Sequence, residues 1–187
     1  MKLEIEVKLP FEEPPSAMRR RLRGLGYVPY GRRVFEANTV YDTPDQHLRK
    51  SGLLLRLRSV GGTHLLTYKG PAIPGPHKTR EEIEVSLNDS APMAAIWERL
   101  GYQPLFRYEK YRTEFHKPRT RGLICLDETP IGNFLELEGT GAWIDRTARA
   151  LGYPPDRYIT ESYGALYLEW SRNRGNTPRH MTFEMLR

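Results

Sequence analysis

The stretch LEIEVKL, residues 3–9, alternates apolar and charged residues with a period of two. Successive side chains of a β-strand point to opposite faces, so this pattern predicts a strand with one apolar and one charged face. For a single strand, the simplest interpretation is a charged face exposed to water. The same alternation recurs along the chain, however, and that recurrence decides the fold.

Charged residues share one strand face at several later places, for example the two arginines of LLLRLR, residues 53–58. The acidic members of these faces are Glu4, Glu6, Glu82, Glu84, Asp127, Glu136 and Glu138. The basic members are Lys8, Arg56, Arg58, Lys69, Arg80, Lys110 and Arg112. Serine, threonine and glutamine, which usually accompany charges on a solvated sheet face, are nearly missing. This composition indicates that the charged faces point into a shared interior.

Turn signals and periodicity predict eight strands and five helices. The strands are expected near residues 3–9, 33–42, 53–60, 64–70, 80–87, 107–116, 121–127 and 133–138. The helices are expected near residues 15–25, 44–50, 91–100, 141–151 and 161–171. Eight antiparallel strands can close into a barrel whose interior holds one small ligand. We therefore predict an α+β fold, an eight-stranded antiparallel β-barrel with amphipathic helices packed outside.

The ends of three predicted helices repeat a phrase, Leu-Gly-Tyr at residues 25–27, 100–102 and 151–153. The acidic pair at residues 4 and 6 and the acidic pair at residues 82 and 84 are separated along the chain by about as much as the first two of these phrases. One interpretation is a duplication of a four-stranded half. The alternative is coincidence, because a glycine after the last turn of a helix is common. The sequence leaves both open.

Composition limits the class of protein. The chain has 187 residues, with 29 lysines and arginines against 23 acidic residues and a formal net charge of +6. A chain of this length can bury a core as one domain, residues 1–187. The single cysteine, Cys125, excludes an internal disulfide, and no apolar run reaches the roughly 20 residues of a membrane span. The expectation is a cytoplasmic protein without a membrane partner.

The charged interior itself predicts a ligand. Fourteen buried charges need water, mutual pairing, metal ions or an anionic ligand, because a lone buried ion costs several kcal/mol. Carboxylates without histidine or thiolate suit Mg²⁺ or Mn²⁺. Arginine and lysine clusters bind phosphates. The interior is thus expected to hold a metal-bound polyphosphate.

Several motifs in order resemble the CYTH family, the triphosphate tunnel metalloenzymes. They are the Glu-x-Glu-x-Lys of residues 4–8, YDTP (41–44), LRLR (55–58), TYKGP (67–71), REEIE (80–84), KYR (110–112), GNFLELE (132–138) and Ser-Tyr (162–163). The resemblance covers about residues 1–170. A polar tail, residues 172–187, lies outside it and has no assigned function.

The resemblance implies roles for individual residues. As metal ligands it implies Glu4, Glu6, Asp127, Glu136 and Glu138, and Glu82 and Glu84 of the tunnel wall are further predicted ligands. For the triphosphate it implies Lys8, Arg56, Arg58, Lys69 and Arg112, accompanied by Lys110 and Arg80. The residues expected to take part in catalysis are Glu4, Glu6, Lys8, Glu136 and Glu138. The implied cofactor is Mg²⁺ or Mn²⁺.

The resemblance implies two enzymatic activities, and a binding module of another class of protein is a third interpretation. The first is hydrolysis of a triphosphate, whether inorganic tripolyphosphate, thiamine triphosphate or a nucleoside triphosphate. The second is a class IV adenylyl cyclase that makes cyclic AMP and pyrophosphate from ATP, and the third is a non-catalytic module that binds polyphosphate or nucleotide. The expected partner is a small-molecule triphosphate. Nothing indicates nucleic acid, and the oligomeric state, a homodimer included, is left open.

Overall fold

The computed structural model describes residues 3–172, 174–175 and 178–186. The strands are β1 (Leu3–Phe11), β2 (Val28–Asp42), β3 (Leu54–Val60), β4 (Thr63–Lys69), β5 (Lys78–Leu87), β6 (Gln103–His116), β7 (Leu123–Thr129) and β8 (Gly132–Glu138). The helices are α1 (Pro15–Gly24), α2 (His47–Lys50), α3 (Ala91–Arg99), α4 (Gly141–Ala150) and α5 (Tyr163–Arg172), with a 3₁₀ turn at Pro155–Arg157. Part of the predicted tail, at residues 173, 176–177 and 187, lies outside the described residues.

The eight strands close into a barrel in the order β1-β5-β4-β3-β2-β6-β7-β8, and every neighbouring pair is antiparallel. The first strand closes the ring, since Glu4 pairs with Arg80 of β5 and Lys8 pairs with Glu136 of β8. The predicted α+β fold, an eight-stranded antiparallel barrel with helices outside, is confirmed.

The strand order also bears on the predicted duplication. Exchanging β1–β4 with β5–β8 leaves the order of the closed ring unchanged. In each half a helix, α1 or α3, connects the first strand to the second. A chance repetition of helix caps does not require this symmetry, so the topology supports two related four-stranded halves.

The main apolar core lies outside the barrel, between the strands and two helices. Val7 and Leu9 of β1 point outward and are fully buried against this layer. Its other members include Met18 and Leu22 of α1, Ile124 and Leu126 of β7, Leu135 and Leu137 of β8, and Trp143 and Ile144 of α4. Because the apolar faces of β1, β7 and β8 are covered from outside, the alternating charged faces of these strands point into the barrel.

Some predicted boundaries were wrong. β2 begins at residue 28 instead of 33, and β6 begins at residue 103 instead of 107. The added residues of β2 pair mainly with β6, and those of β6 pair mainly with β2. The register between the two strands shifts between Tyr30 and Val34 and between Val40 and Tyr41. Pro29 and Gly31 argue against a strand locally, and the pairing with β6 overrides that preference. β7 runs two residues later than predicted, from 123 to 129.

The YDTP motif shapes the turn between β2 and β3. One oxygen of Asp42 accepts hydrogen bonds from the N–H groups of Thr43 at 2.8 Å and Leu48 at 2.9 Å. The other accepts from the N–H of Arg49 at 3.0 Å. The helix predicted over 44–50 is only the four residues of α2, which begins after Gln46 in a left-handed conformation, and the Asp42 carboxylate accepts from N–H groups of its first turn. Among the described helices, none combines the length and apolarity that a membrane crossing requires.

Candidate active site

The barrel encloses a charged tunnel with a cavity of about 210 Å³. Of the fourteen charged residues predicted to face the interior, thirteen line this cavity. They are Glu4, Glu6, Lys8, Arg56, Arg58, Lys69, Arg80, Glu82, Glu84, Lys110, Arg112, Glu136 and Glu138. The fourteenth, Asp127, is fully buried and contacts the bases of β6. The period-two argument therefore identified the interior face of the strands.

Three carboxylates converge at one place in the tunnel. Oxygen atoms of Glu4 and Glu6 of β1 and of Glu138 of β8 all lie within 4.8 Å of one another. They meet because Glu6 and Glu138 are cross-strand partners and Glu4 lies two residues along the same face. Such a group is unfavourable without positive charge between or beside its members.

Lysines of neighbouring strands supply that charge. Lys69 of β4 donates to Glu4 and lies 3.1 Å from Glu82. Lys78 of β5 lies 3.2 Å from Glu6. Burial would raise the pKa of Glu6, but Lys8 and Lys78 outweigh it and hold the pKa at about 2. The carboxylates are thus balanced by ammonium groups of the protein itself.

The donor set of this cluster fits a divalent metal. Three carboxylate oxygens closer than 4.8 Å can share one ion at the distances that Mg²⁺ or Mn²⁺ adopts, about 2.0–2.2 Å. The oxygen-only chemistry suits these ions and does not suit zinc. Glu4, Glu6 and Glu138 are therefore the residues that would hold the ion. Glu82, Glu84 and Glu136 line the same cavity outside this group.

The raised pKa of Glu138 makes the stability of the protein depend on pH. Loss of water around its carboxyl raises its pKa to about 7, which Arg112 opposes and Glu136 reinforces. Between the ordinary value of 4.5 and about 7, the folded chain keeps a proton that the unfolded chain has released. The stability of the metal-free protein should therefore fall, through this group, as the pH rises across that window.

We expect Glu138→Gln to remove this component of the pH dependence, because glutamine does not titrate. The measurement is the melting temperature of both proteins across the window in the presence of a chelator. Wild type should lose stability relative to the variant as the pH rises. Parallel curves for the two proteins would show that Glu138 has an ordinary pKa.

Glu136 belongs to a second network, next to the metal cluster. It accepts a hydrogen bond from Arg112 and lies 3.4 Å from Lys8 and 4.0 Å from Lys110. Burial would raise its pKa, but Lys110 and Arg112 hold it well below the usual range. In the structure, Glu136 orients bases of the tunnel. Its predicted role as a metal ligand stays a prediction.

Asp127 is surrounded by donors. It accepts from Lys110 at 2.8 Å, from Arg112 at 2.7 Å to each oxygen, and from the Tyr163 hydroxyl at 2.7 Å. It is not part of the carboxylate group around Glu4. These contacts make it a positioning residue for the two bases, and they leave its predicted role as a metal ligand without support from the geometry.

Two arginines of β3 form the opposite wall. Arg56 donates to the Tyr108 hydroxyl at 3.0 Å and to Thr67 at 3.1 Å, and its buried Nε has no hydrogen-bond partner among the described residues. Arg58 donates through Nε to Asn38 at 3.0 Å. These contacts hold both guanidinium groups in place in the lining of the cavity. A phosphate chain is the ligand that such forked donors match.

Some residues of the tunnel were missed from the sequence. They are Glu36 of β2, Lys78 of β5, Tyr108 and Glu114 of β6, and Tyr163 of α5. Lys78 shares the strand face of Arg80 but lies before the predicted start of its strand, so a longer strand would have included it. Glu114 lies inside the predicted strand 107–116, on the face of Arg112, so the alternation could have identified it. Tyr163 belongs to the Ser-Tyr motif of residues 162–163 but was given no role, because its position in the tunnel depends on how α5 packs.

A second, mostly apolar pocket of about 330 Å³ adjoins the tunnel. The two cavities share Leu54, Tyr108, Ser162 and Tyr163. Further walls come from stacked aromatic rings, with Phe106 lying 5.8 Å from Tyr108 and 5.7 Å from Tyr167 between ring centres. A chain of phosphates in the tunnel could thus continue into an organic group in this aromatic pocket.

Comparisons with known proteins agree with this geometry. A family model described as the CYTH domain matches residues 2–151. A curated protein of Methanocaldococcus jannaschii, provisionally named an adenylate cyclase, is 29% identical over 171 residues, which cover 86% of this chain and 96% of that protein.

Solved structures share the fold. A protein of Pyrococcus horikoshii is 26% identical with a TM-score of 0.75, covering 89% of this chain and 98% of that one. A protein of Hippeastrum, provisionally an adenylyl cyclase and described as revealing a dominant triphosphatase activity, is 16% identical. Its TM-score is 0.65, and the match covers 96% of this chain and 99% of that one.

Proposed function

The chain belongs to the CYTH domain family, and from this and the tunnel geometry we propose that it is an Mg²⁺- or Mn²⁺-dependent triphosphatase. The proposal rests on one observation: two sets of side chains, carboxylates and bases, lie in one cavity of about 210 Å³. A carboxylate group suited to a divalent metal lies in the same tunnel as forked and point-like bases suited to phosphates. A module that only bound anions would gain nothing from the carboxylates.

The residues of the tunnel suit in-line displacement at phosphorus. An ion held by Glu4, Glu6 and Glu138 would supply charge neutralisation and an activated water. Arg56, Arg58 and the other bases bind the phosphate oxygens and offset the negative charge that develops on the leaving group. Their fixed positions in the barrel keep the chain of phosphates aligned for attack.

Hydrolysis and cyclisation differ in which phosphorus is attacked. Water attack at the terminal phosphorus releases orthophosphate, whereas attack by a ribose hydroxyl at the first phosphorus releases pyrophosphate. Cyclisation also needs the nucleoside held in a reactive pose, which is a demanding condition. The triphosphatase activity described for the Hippeastrum protein of the same fold supports hydrolysis.

An adenylyl cyclase is the second candidate. The aromatic pocket that adjoins the tunnel favours a triphosphate with an organic group, a nucleoside or thiamine, over inorganic tripolyphosphate. The provisional name of the Methanocaldococcus jannaschii relative points the same way. An aromatic pocket for an organic group is also compatible with hydrolysis of the same organic triphosphate. Cyclisation is therefore the second candidate.

The test is a panel of tripolyphosphate, ATP and thiamine triphosphate, each with Mg²⁺, Mn²⁺ or a chelator, with the products identified by ³¹P NMR. We expect orthophosphate that depends on the metal and no cyclic nucleotide. Stoichiometric cyclic AMP and pyrophosphate from ATP would promote the cyclase. Tight binding of all three without any turnover would establish a binding module.

A further inference from the structure

Glu36 of β2 lies among the bases of the tunnel wall. It is only 3% exposed. Its Oε2 lies 3.6 Å from Nε of Arg58 on β3 and 3.6 Å from Nζ of Lys110 on β6. Its Oε1 lies 3.9 Å from Nε of Arg112, also on β6. A carboxylate thus lies among three cations of the tunnel wall, at 3.6–3.9 Å from each.

The surrounding bases do not direct hydrogen bonds at this carboxylate. Arg58 donates through Nε to Asn38, and Lys110 donates to Asp127. The buried Oε2 of Glu36 has no hydrogen-bond partner among the described residues. Its effect on its neighbours is therefore mainly that of its charge. Burial would raise the pKa of Glu36, but Lys110 and Arg112 outweigh it and hold the pKa at about 2, so the charge is permanent.

The charge balance of the tunnel shows what this carboxylate changes. Within residues 3–172, the bases of the tunnel are Lys8, Arg56, Arg58, Lys69, Lys78, Arg80, Lys110 and Arg112. The acids that line it or contact these bases are Glu4, Glu6, Glu36, Glu82, Glu84, Glu114, Asp127, Glu136 and Glu138. Nine acids against eight bases leave the tunnel without net positive charge, whether or not the Glu138 carboxyl keeps its proton.

A tunnel of this charge has no net attraction for a free polyphosphate anion. Two positive charges brought in by a divalent ion change the sign of that balance. We propose that Glu36 is a specificity-determining residue, which makes the tunnel select the metal complex of a triphosphate over the free anion. This inference rests on the proposed function, because it takes the triphosphate tunnel as given.

Isothermal titration calorimetry of wild type and Glu36→Gln with tripolyphosphate tests the inference. One titration contains a chelator and the other contains excess Mg²⁺. In the chelator, we expect the variant to bind roughly 10-fold more tightly than wild type, because one nearby negative charge is gone. In Mg²⁺ the two proteins should differ by less than about 3-fold, since the ion already compensates the charge.

Three further variants separate charge from structure. Glu36→Asp keeps the charge and should behave like wild type. Glu109→Gln removes a carboxylate that accepts the Phe183 N–H outside the tunnel, and it should also leave both affinities unchanged. Because the loss of a buried counter-charge can destabilise the fold, melting temperatures are measured in parallel. Glu36→Met, neutral and of similar length, replaces the glutamine variant if that one melts early.

The outcomes distinguish the inference from the function it rests on. The selection role is supported if the neutral variants of Glu36, and no other variant, bind tripolyphosphate more tightly than wild type in the chelator. Unchanged or weaker metal-free binding by a folded neutral variant, with wild type still binding in Mg²⁺, overturns the role of Glu36 and keeps the proposed function. No binding of tripolyphosphate by wild type in Mg²⁺ overturns the inference, and the proposed function falls with it if ATP and thiamine triphosphate are not turned over either.

Discussion

Glu4→Gln is expected to lower metal-dependent triphosphate hydrolysis by roughly 100-fold or more. Glu4 is one of three carboxylates whose oxygens lie within 4.8 Å of one another, and glutamine keeps its shape while removing its charge. Part of the lost rate should return at high Mn²⁺, which binds such ligands more tightly than Mg²⁺. Initial rates measured against the concentration of each metal give the result.

The matched control is Glu128→Gln. Glu128 forms ion pairs with Arg19 and Arg33 and does not line the tunnel. Its substitution removes the same charge and should leave the rate and the metal dependence unchanged. If Glu4→Gln turned over triphosphate with wild-type rate and metal dependence, the carboxylate group would have no role in holding the metal.

Arg56→Ala is expected to weaken triphosphate binding by about 2–5 kcal/mol. The Arg56 side chain is buried, held by Tyr108 and Thr67, and keeps an unpartnered Nε in the tunnel wall. Removing it leaves the phosphate without a forked donor at that place. Calorimetric affinities for tripolyphosphate in Mg²⁺, together with KM, measure the loss.

Arg56→Lys is the informative companion, because it keeps the charge and loses the fork. Its affinity should fall between those of wild type and Arg56→Ala. Arg20→Ala, on the exposed side of α1, serves as the control for a lost positive charge. Equal affinities for wild type and a folded Arg56→Ala would remove Arg56 from the phosphate site.

The alternation of residues predicted most of the tunnel because a period of two assigns a whole strand face at once. Glu4, Glu6 and the LRLR arginines needed no tertiary information beyond the closure of the sheet. Asp127 shows the limit of that argument. The pattern places it on the interior face, but its bonds to Lys110, Arg112 and Tyr163 depend on how three elements meet.

Glu36 and Lys78 were missed for a different reason. Both lie on interior faces, but Glu36 sits in a β2 segment of mixed composition and Lys78 lies before the predicted start of its strand. The start of β2 was also hidden, because Pro29 and Gly31 are typical of a turn, and the start of β6 contains Pro104. Pairing between distant segments decides such cases, and it leaves little trace in either segment alone.

The most direct test of the central claim is a crystal structure of the protein with Mn²⁺ and tripolyphosphate, with the metal located by anomalous scattering. We predict a manganese peak about 2.2 Å from oxygens of Glu4, Glu6 and Glu138. The phosphate chain should lie along the tunnel against Lys8, Arg56 and the other bases. Manganese bound away from these carboxylates, or the anion bound only on the outer surface, would contradict the proposed triphosphate tunnel.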